Sequence, residues 1–174
     1  MLDFPKLTLV LGGANSGKSA FAEGFAHQSG LPKTYLATAQ AFDAEMARKI
    51  AAHQKMRADT NWTTIEKPLD IVGPITKANG VLLVDCLTLW LSNHLMTEAA
   101  TEGLAADFLD AQSNSAAHVI AVSNEVGLGI VPDNKMARTF RAAQGRLNQE
   151  IAAKSDLVVN VVAGLPQVLK GTLP

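Results

Sequence analysis

Cysteine occurs once in this chain, as Cys86, so no intrachain disulfide can form and an oxidising compartment is not required. A dominant charge is also missing. The formal net charge is −1, which gives no electrostatic case for nucleic acid or for an acidic membrane surface as a partner. Long apolar runs are absent too. The most apolar stretch, Val81 to Leu91, is too short to span a bilayer and carries Asp85 in its middle. The opening residues, Met1-Leu2-Asp3-Phe4-Pro5-Lys6, lack the basic region followed by an apolar core that marks a secretory signal. No internal repeat is visible. These absences predict a cytoplasmic, soluble protein.

What is present suits a single domain over 1–174. The chain has 174 residues, of which 48% are apolar, enough for a substantial core and too many for general disorder. Strand-like runs recur at Leu7–Leu11, Thr34–Thr38, Val81–Asp85, His118–Ser123 and Leu157–Val162, with a weaker one at Thr63–Glu66. Several are continuously apolar, as strands buried on both faces of a parallel sheet must be. Helix-like segments alternate with them, so the expected fold is α/β, a mostly parallel sheet flanked by helices. One helix is expected from near Asp43 to about Arg57, with Met46, Ile50, His53 and Arg57 on one stripe. Another follows Pro132-Asp133-Asn134 and runs to about Lys154, with Met136, Phe140, Ala143, Leu147 and Ile151 as its apolar face. Gly145 sits inside it, at a cost of roughly 1 kcal/mol relative to Ala, for which a close packing contact would account. The stretch from about Thr97 to Ala117 reads as one irregular helix plus loop.

The most telling segment is Gly12-Gly13-Ala14-Asn15-Ser16-Gly17-Lys18-Ser19, which fits G-x-x-x-x-G-K-[ST]. It follows the strand Leu7–Leu11 and opens a helix on which Phe21 and Phe25 share a face. A loop so placed can turn backbone N–H groups onto polyphosphate oxygens, and the helix dipole adds partial positive charge. Lys18 would neutralise β- and γ-phosphate charge, and Ser19 would offer its hydroxyl to Mg²⁺. The plainer reading is a glycine-rich turn with a solvated lysine. Asp85 ends the apolar strand Val81–Asp85, where phosphate-loop proteins place a carboxylate that helps hold Mg²⁺. The plainer reading is a strand-ending Asp that caps the following segment, and the metal role is favoured because it belongs to one template with the glycine loop. Cys86 reads as a small buried hydrophobe.

His53 lies among Lys49, Lys55 and Arg57, a cationic setting suited to a phosphate-bearing ligand. A neutral imidazole can attack phosphorus and leave again, although packing is the commoner role for such a residue. Further on, Ser123-Asn124-Glu125-Val126-Gly127 leads from a strand into a glycine-bearing loop at the carboxyl edge of the expected sheet, the usual place for ligands. Arg138, Arg141 and Arg146 follow on the next helix and could face substrate phosphate or solvent.

These stretches, with Tyr35-Leu36-Ala37-Thr38-Ala39, Trp62–Glu66, Val84-Asp85-Cys86 to Asn93, Phe140-Arg141 and Gly145–Gln149, resemble in order the bifunctional adenosylcobinamide kinase / adenosylcobinamide-phosphate guanylyltransferase family of cobalamin biosynthesis. The resemblance covers nearly the whole chain. It implies a RecA-like P-loop nucleoside triphosphate hydrolase fold and a homotrimer. It implies that ATP or GTP phosphorylates adenosylcobinamide, and that GTP then guanylylates a histidine, here His53, which passes GMP on to give adenosylcobinamide-GDP. By the same resemblance the nucleotide contacts fall on Gly12, Gly13, Ala14, Asn15, Ser16, Gly17, Lys18 and Ser19, on Ala37, Thr38 and Ala39, on Gln54, Lys55, Met56 and Arg57, and on Glu66 and Asp85. Lys18 and His53 are the expected catalytic residues, with Mg²⁺ at Ser19 and Asp85. The sequence departs from the family at Asn15, where members commonly have Arg, and at Ala142, where an Asp commonly follows the Phe-Arg pair. Two other classes remain in view. One is a small-molecule kinase without a covalent step. The other is a regulatory GTP-binding protein, although the Asn-Lys-x-Asp segment common in such switches is absent.

Overall fold

The computed structural model describes residues 4–41, 48, 51, 61–97 and 101–174. The elements in chain order are β1 (Leu7–Gly12), α1 (Lys18–Gln28), β2 (Lys33–Ala37), β3 (Trp62–Glu66), α2 (Val72–Lys77), β4 (Val81–Asp85), α3 (Leu87–Met96), α4 (Leu104–Ser113), β5 (His118–Asn124), α5 (Lys135–Lys154), β6 (Leu157–Val162) and β7 (Leu165–Lys170). Among the described residues, seven strands form one sheet in the order β3-β2-β4-β5-β1-β6-β7. All neighbours are parallel except β6 and β7. The expected α/β architecture with a mostly parallel sheet is therefore the observed one.

Period-two alternation distributes each inner strand between two cores. Leu9, Leu36, Leu82, Val84, Ala121 and Val158 face one side, where they meet Trp90 and Leu91 of α3, Phe108 of α4, and Leu147 and Ile151 of α5. Val10, Tyr35, Leu83, Ile120, Val122 and Val159 face the other, under Ala22, Phe25 and Ala26 of α1. Phe21 and Phe25 do stack, with ring centroids 6.1 Å apart. Because the inner strands are covered on both sides, their sequences read as unbroken apolar runs.

Four differences from the sequence reading are informative. The stretch from Thr97 to Ala117 holds a regular helix, α4, with Gly103 as its left-handed N-cap (φ 92°), rather than an irregular one. The strand β7 was not expected, because Pro166 argues against a strand. It is an edge strand, where a missing N–H is tolerated, and it pairs with β6 through a two-residue turn. Ala163 (φ 52°) and Gly164 (φ 78°) are both left-handed there, the backbone of a type I′ hairpin without its usual Asn-Gly signature. On α5, Ala143, Leu147 and Ile151 are buried and Phe140 packs against them, but Met136 is 79% exposed. Asn134 caps this helix, its side chain accepting from Ala137 N at 2.8 Å. Finally, a Cβ built on Gly145 would meet nothing within 4 Å, so no packing contact demands glycine.

The helix expected from Asp43 to Arg57 lies largely outside the described residues. Arg48 and Ala51, the two that are described, are helical and exposed. Since Gly145 occupies a helix interior without steric need, Gly145→Ala is expected to raise unfolding free energy by about 0.5–1 kcal/mol. Urea denaturation of the two proteins measures this.

Candidate active site

Parallel registry brings the chemistry to one edge of the sheet. Ala37 on β2 is in register with Glu66 on β3 and with Asp85 on β4. Gly12 on β1 is in register with Asn124 on β5. Each of these residues ends its strand, so all lie along the carboxyl edge, the edge at which open α/β sheets bind ligands.

From that edge the loop Gly13–Gly17 turns into α1. Lys18 is only 9% exposed, and its Nζ donates to Gly13 O at 2.9 Å, which folds the ammonium back over the loop. Gly17 is left-handed (φ 91°) and, as N-cap, has no side chain to offer the first turn of α1. The free N–H groups and the dipole of that turn form an anion-binding end. A Cβ on Gly17 would lie 3.0 Å from Gly164 Cα, and one on Gly12 would lie 2.3 Å from Ser16 Oγ. Both glycines are thus required by close approach. The β6–β7 turn buttresses the loop directly, with Gly164 N donating to Ser16 O at 2.8 Å. Asn15 is also left-handed (φ 55°), a conformation that asparagine tolerates better than most residues, so the departure from arginine suits the local backbone. Ser16 Oγ is buried without a hydrogen-bond partner among the described residues.

Asp85 does not cap the segment that follows it. That position belongs to Cys86, whose Sγ accepts from Leu89 N at 3.5 Å. The Asp85–Cys86 peptide is cis. The Asp85 carboxylate instead receives a 2.5 Å hydrogen bond from Tyr35 on the neighbouring strand, which fixes its orientation. Burial, and after it the Asp85 charge, push the Cys86 thiol up to about 12, while Lys18 acts on it in the opposite sense. Both charged groups therefore act on one thiol, the cation of α1 and the anion of β4. The hydroxyl of Ser19 and the carboxylate of Asp85 are hard oxygen donors. Mg²⁺ needs only one or two protein carboxylates beside phosphate and water, so this donor set fits it. Among the described residues, no three His, Cys, Asp or Glu side chains cluster to hold a metal by themselves.

Thr38 is fully buried and its side chain is committed to protein. Its Oγ1 donates to Cys86 O at 2.7 Å and accepts from Cys86 N at 2.8 Å. Asn93 Nδ2 then donates to Thr38 O and to Pro68 O, each at 2.9 Å. Any ligand contact along Ala37-Thr38-Ala39 therefore falls to its neighbours or to backbone groups. Ala37 and Ala39 are half-buried, and Glu66 is exposed at the end of β3. His53, Gln54, Lys55, Met56 and Arg57 lie outside the described residues.

The loop after β5 is tied at both ends. Glu125 N donates to Gly12 O at 3.1 Å, which joins it to the phosphate loop. Arg141 donates to Gly127 O and Gly129 O, and Arg138 to Pro132 O and Asp133 O. Arg146 is exposed. Beneath the loop, Thr88 bonds Asn124, Ser123 Oγ donates to Asn148 Oδ1 at 2.6 Å, and Gln144 Nε2 donates to both Ser123 and Asn148. Sequence reasoning missed Tyr35, Asn93, Gln144 and Asn148. The one available signal was an amide inside an otherwise apolar helix stripe, at Asn93 and Asn148.

With this geometry in place, the relatives are informative. The sequence pattern of cobinamide kinase / cobinamide phosphate guanyltransferase matches residues 8–169. The chain is 44% identical over 168 residues to the bifunctional adenosylcobalamin biosynthesis protein CobP of Pseudomonas aeruginosa, covering 94% of this chain and 96% of that protein. It is 35% identical over 182 residues to the bifunctional adenosylcobalamin biosynthesis protein CobU of Escherichia coli K12, covering 94% and 99%. Among solved structures, a prototypical ATPase from the type III secretion system of pathogenic bacteria is similar with a TM-score of 0.52 at 10% identity. That match covers 93% of this chain but only 56% of the ATPase, and it is a likeness of fold, that of phosphate-loop nucleoside triphosphatases. Among the described residues, no helix is long and apolar enough to cross a membrane.

A thiol held neutral up to about 12 and only 8% exposed is a poor nucleophile at ordinary pH. Iodoacetamide at pH 8 is expected to leave Cys86 unmodified in the native protein and to alkylate it after unfolding. Mass spectrometry reads both states, and rapid native alkylation would show that the thiol is exposed or ionised.

Proposed function

The chain belongs to the cobinamide kinase / cobinamide phosphate guanyltransferase family, and from that premise we propose that it phosphorylates adenosylcobinamide with ATP or GTP and then converts the phosphate to adenosylcobinamide-GDP with GTP. The observation that carries this reading is the buried Lys18, folded over a glycine loop at the carboxyl edge with the Tyr35-bound Asp85 on the same edge. One domain, 1–174, does both reactions.

In the first reaction the acceptor hydroxyl oxygen attacks the γ-phosphorus, the bond to the β–γ bridging oxygen breaks, and the nucleoside diphosphate leaves. Such a transfer is governed by alignment and charge neutralisation. Lys18 and the N–H groups of Gly13 to Ser19 supply both. Mg²⁺ held near Ser19 and Asp85 would add Lewis-acid neutralisation of the phosphate oxygens. Ala37, Thr38, Ala39 and Glu66, with Gln54 to Arg57, are assigned to the nucleotide as well. Thr38 is a positioning residue in this scheme, because its hydroxyl is spent on Cys86.

In the second reaction the His53 imidazole attacks the α-phosphorus of GTP, the bond to pyrophosphate breaks, and a guanylyl-histidine forms. A phosphate oxygen of the acceptor then displaces the imidazole. Two displacements replace one difficult step, which is the use of a covalent intermediate. Family resemblance supports this assignment. The net charge of −1 supports the absence of nucleic acid from the partners. Assembly as a homotrimer belongs to the same reading. The apolar β6–β7 hairpin supports it, since Leu165 and Leu169 are exposed on the edge strand β7, with exposed Val162 beside them at the end of β6.

His53→Ala is expected to abolish guanylyl transfer, lowering it by at least about a thousandfold as loss of a covalent nucleophile does, while keeping most of the kinase activity. Incubation with α-labelled GTP should leave acid-labile label on the native protein and none on the variant. Equal loss of both activities in folded His53→Ala, or no label on the native protein, contradicts the covalent step and favours a plain kinase.

A further inference from the structure

The loop that begins at the phosphate site ends at an apolar cavity. From Glu125, bonded to Gly12, the chain passes through Leu128, Ile130 and Val131 to Asn134 at the head of α5. Those three apolar side chains are 91%, 96% and 67% exposed, and Met136, the next apolar residue, is 79% exposed. Isolated exposed apolar residues are ordinary, but a run of this kind beside a ligand site is not. The loop is not loose, because Arg138 and Arg141 staple it to α5 through Gly127, Gly129, Pro132 and Asp133. The apolar side chains are thus presented on a fixed backbone.

Between the head of α5 and the end of α3 lies a cavity of about 650 Å³, lined by Leu95, Met96, Met136 and Phe140, with the hydroxyls of Ser92 and Thr139 at its wall. Its size is that of a small-molecule site, and so is its mixture of apolar walls with a few polar groups. Methionine side chains adapt to irregular apolar outlines. The same helix end is strongly cationic. Lys135, Arg138 and Arg141 fall within its first two turns, with no carboxylate between residues 135 and 149. Arg138 and Arg141 bond backbone carbonyls, which orient their guanidinium groups without neutralising them.

We propose that this cavity and the Leu128–Val131 loop together seat the acceptor, a large, rigid, mainly apolar macrocycle with amide arms. One edge of the ring enters the cavity, the loop side chains cover a face, and the two hydroxyls meet peripheral amides. The loop from Glu125, which is bonded to Gly12, to Asn134 places the reacting end of the arm at the phosphate site and the ring beyond it. This assignment rests on the proposed function, because it names the second substrate of the same site.

Ile130→Glu and Met136→Glu place a charge on exposed positions that the fold does not need. Leu31→Glu, at a remote exposed apolar position before β2, is the control. Adenosylcobinamide binding is followed by its visible absorbance in equilibrium dialysis, and GTP binding by calorimetry. The two test variants are expected to bind adenosylcobinamide at least about tenfold more weakly, with GTP affinity within twofold of the native value, and the control is expected to behave as native. Acceptor binding unchanged in both test variants would overturn the site. A lower sedimentation mass for the test variants would also overturn it, by assigning the face to a second copy of the chain. If the native protein binds GTP but no adenosylcobinamide, the proposed function itself fails, and the site fails with it.

Discussion

Everything in the arrangement depends on an ammonium group held almost out of water at the end of a strand. Lys18 reaches back to Gly13 O, and the loop that carries it is fixed from three sides. The helix α1 continues from it, Glu125 N grips Gly12 O, and Gly164 N grips Ser16 O. A buried cation with one neutral hydrogen-bond partner among the described residues is poorly compensated, and an anion is its natural complement. Glycine at 12 and 17 lets the backbone approach its neighbours closely enough to build that pocket.

The second constraint is strand order. Placing β5 between β1 and β4 sets the Gly12–Ser19 loop and Asp85 one strand apart along the same edge. Placing β2 beside β4 brings the Tyr35 hydroxyl to Asp85 and the Thr38 hydroxyl to the Cys86 backbone. These bonds orient the carboxylate and lock the turn after it. Asn93 adds a further clasp from α3, tying β2 to the segment before α2 through Thr38 and Pro68. The polar residues that shape the site therefore act through backbone geometry, and the groups that face a ligand are few.

Much of this was legible in the order of residues. Unbroken apolar runs at Val81–Val84 and Val119–Val122 suit strands buried on both faces, as they are, and the glycine loop between strand and helix named its own chemistry. The N-terminus of α5 was legible because Asn134 is a capping residue before a periodic stripe. Other features were not legible, for physical reasons. The hairpin β6–β7 carries Ala163-Gly164 at its turn and Pro166 in its second strand, each of which argues against what forms. The Thr97–Ala117 stretch reads as an irregular helix plus loop, yet Gly103 begins a regular α4, where a left-handed N-cap favours glycine. The partners Tyr35 and Asp85 are 50 positions apart, and only the sheet order brings them together. No local pattern encodes that.

The grip on the nucleotide can be tested at Lys18 alone. Lys18→Ala removes a charged hydrogen-bond donor worth about 1.5–3 kcal/mol, so calorimetric titration with GTP should show affinity lowered by at least about tenfold while circular dichroism shows the fold retained. A folded Lys18→Ala protein that binds GTP as tightly as the native chain would mean that polyphosphate is held somewhere other than the turn between β1 and α1.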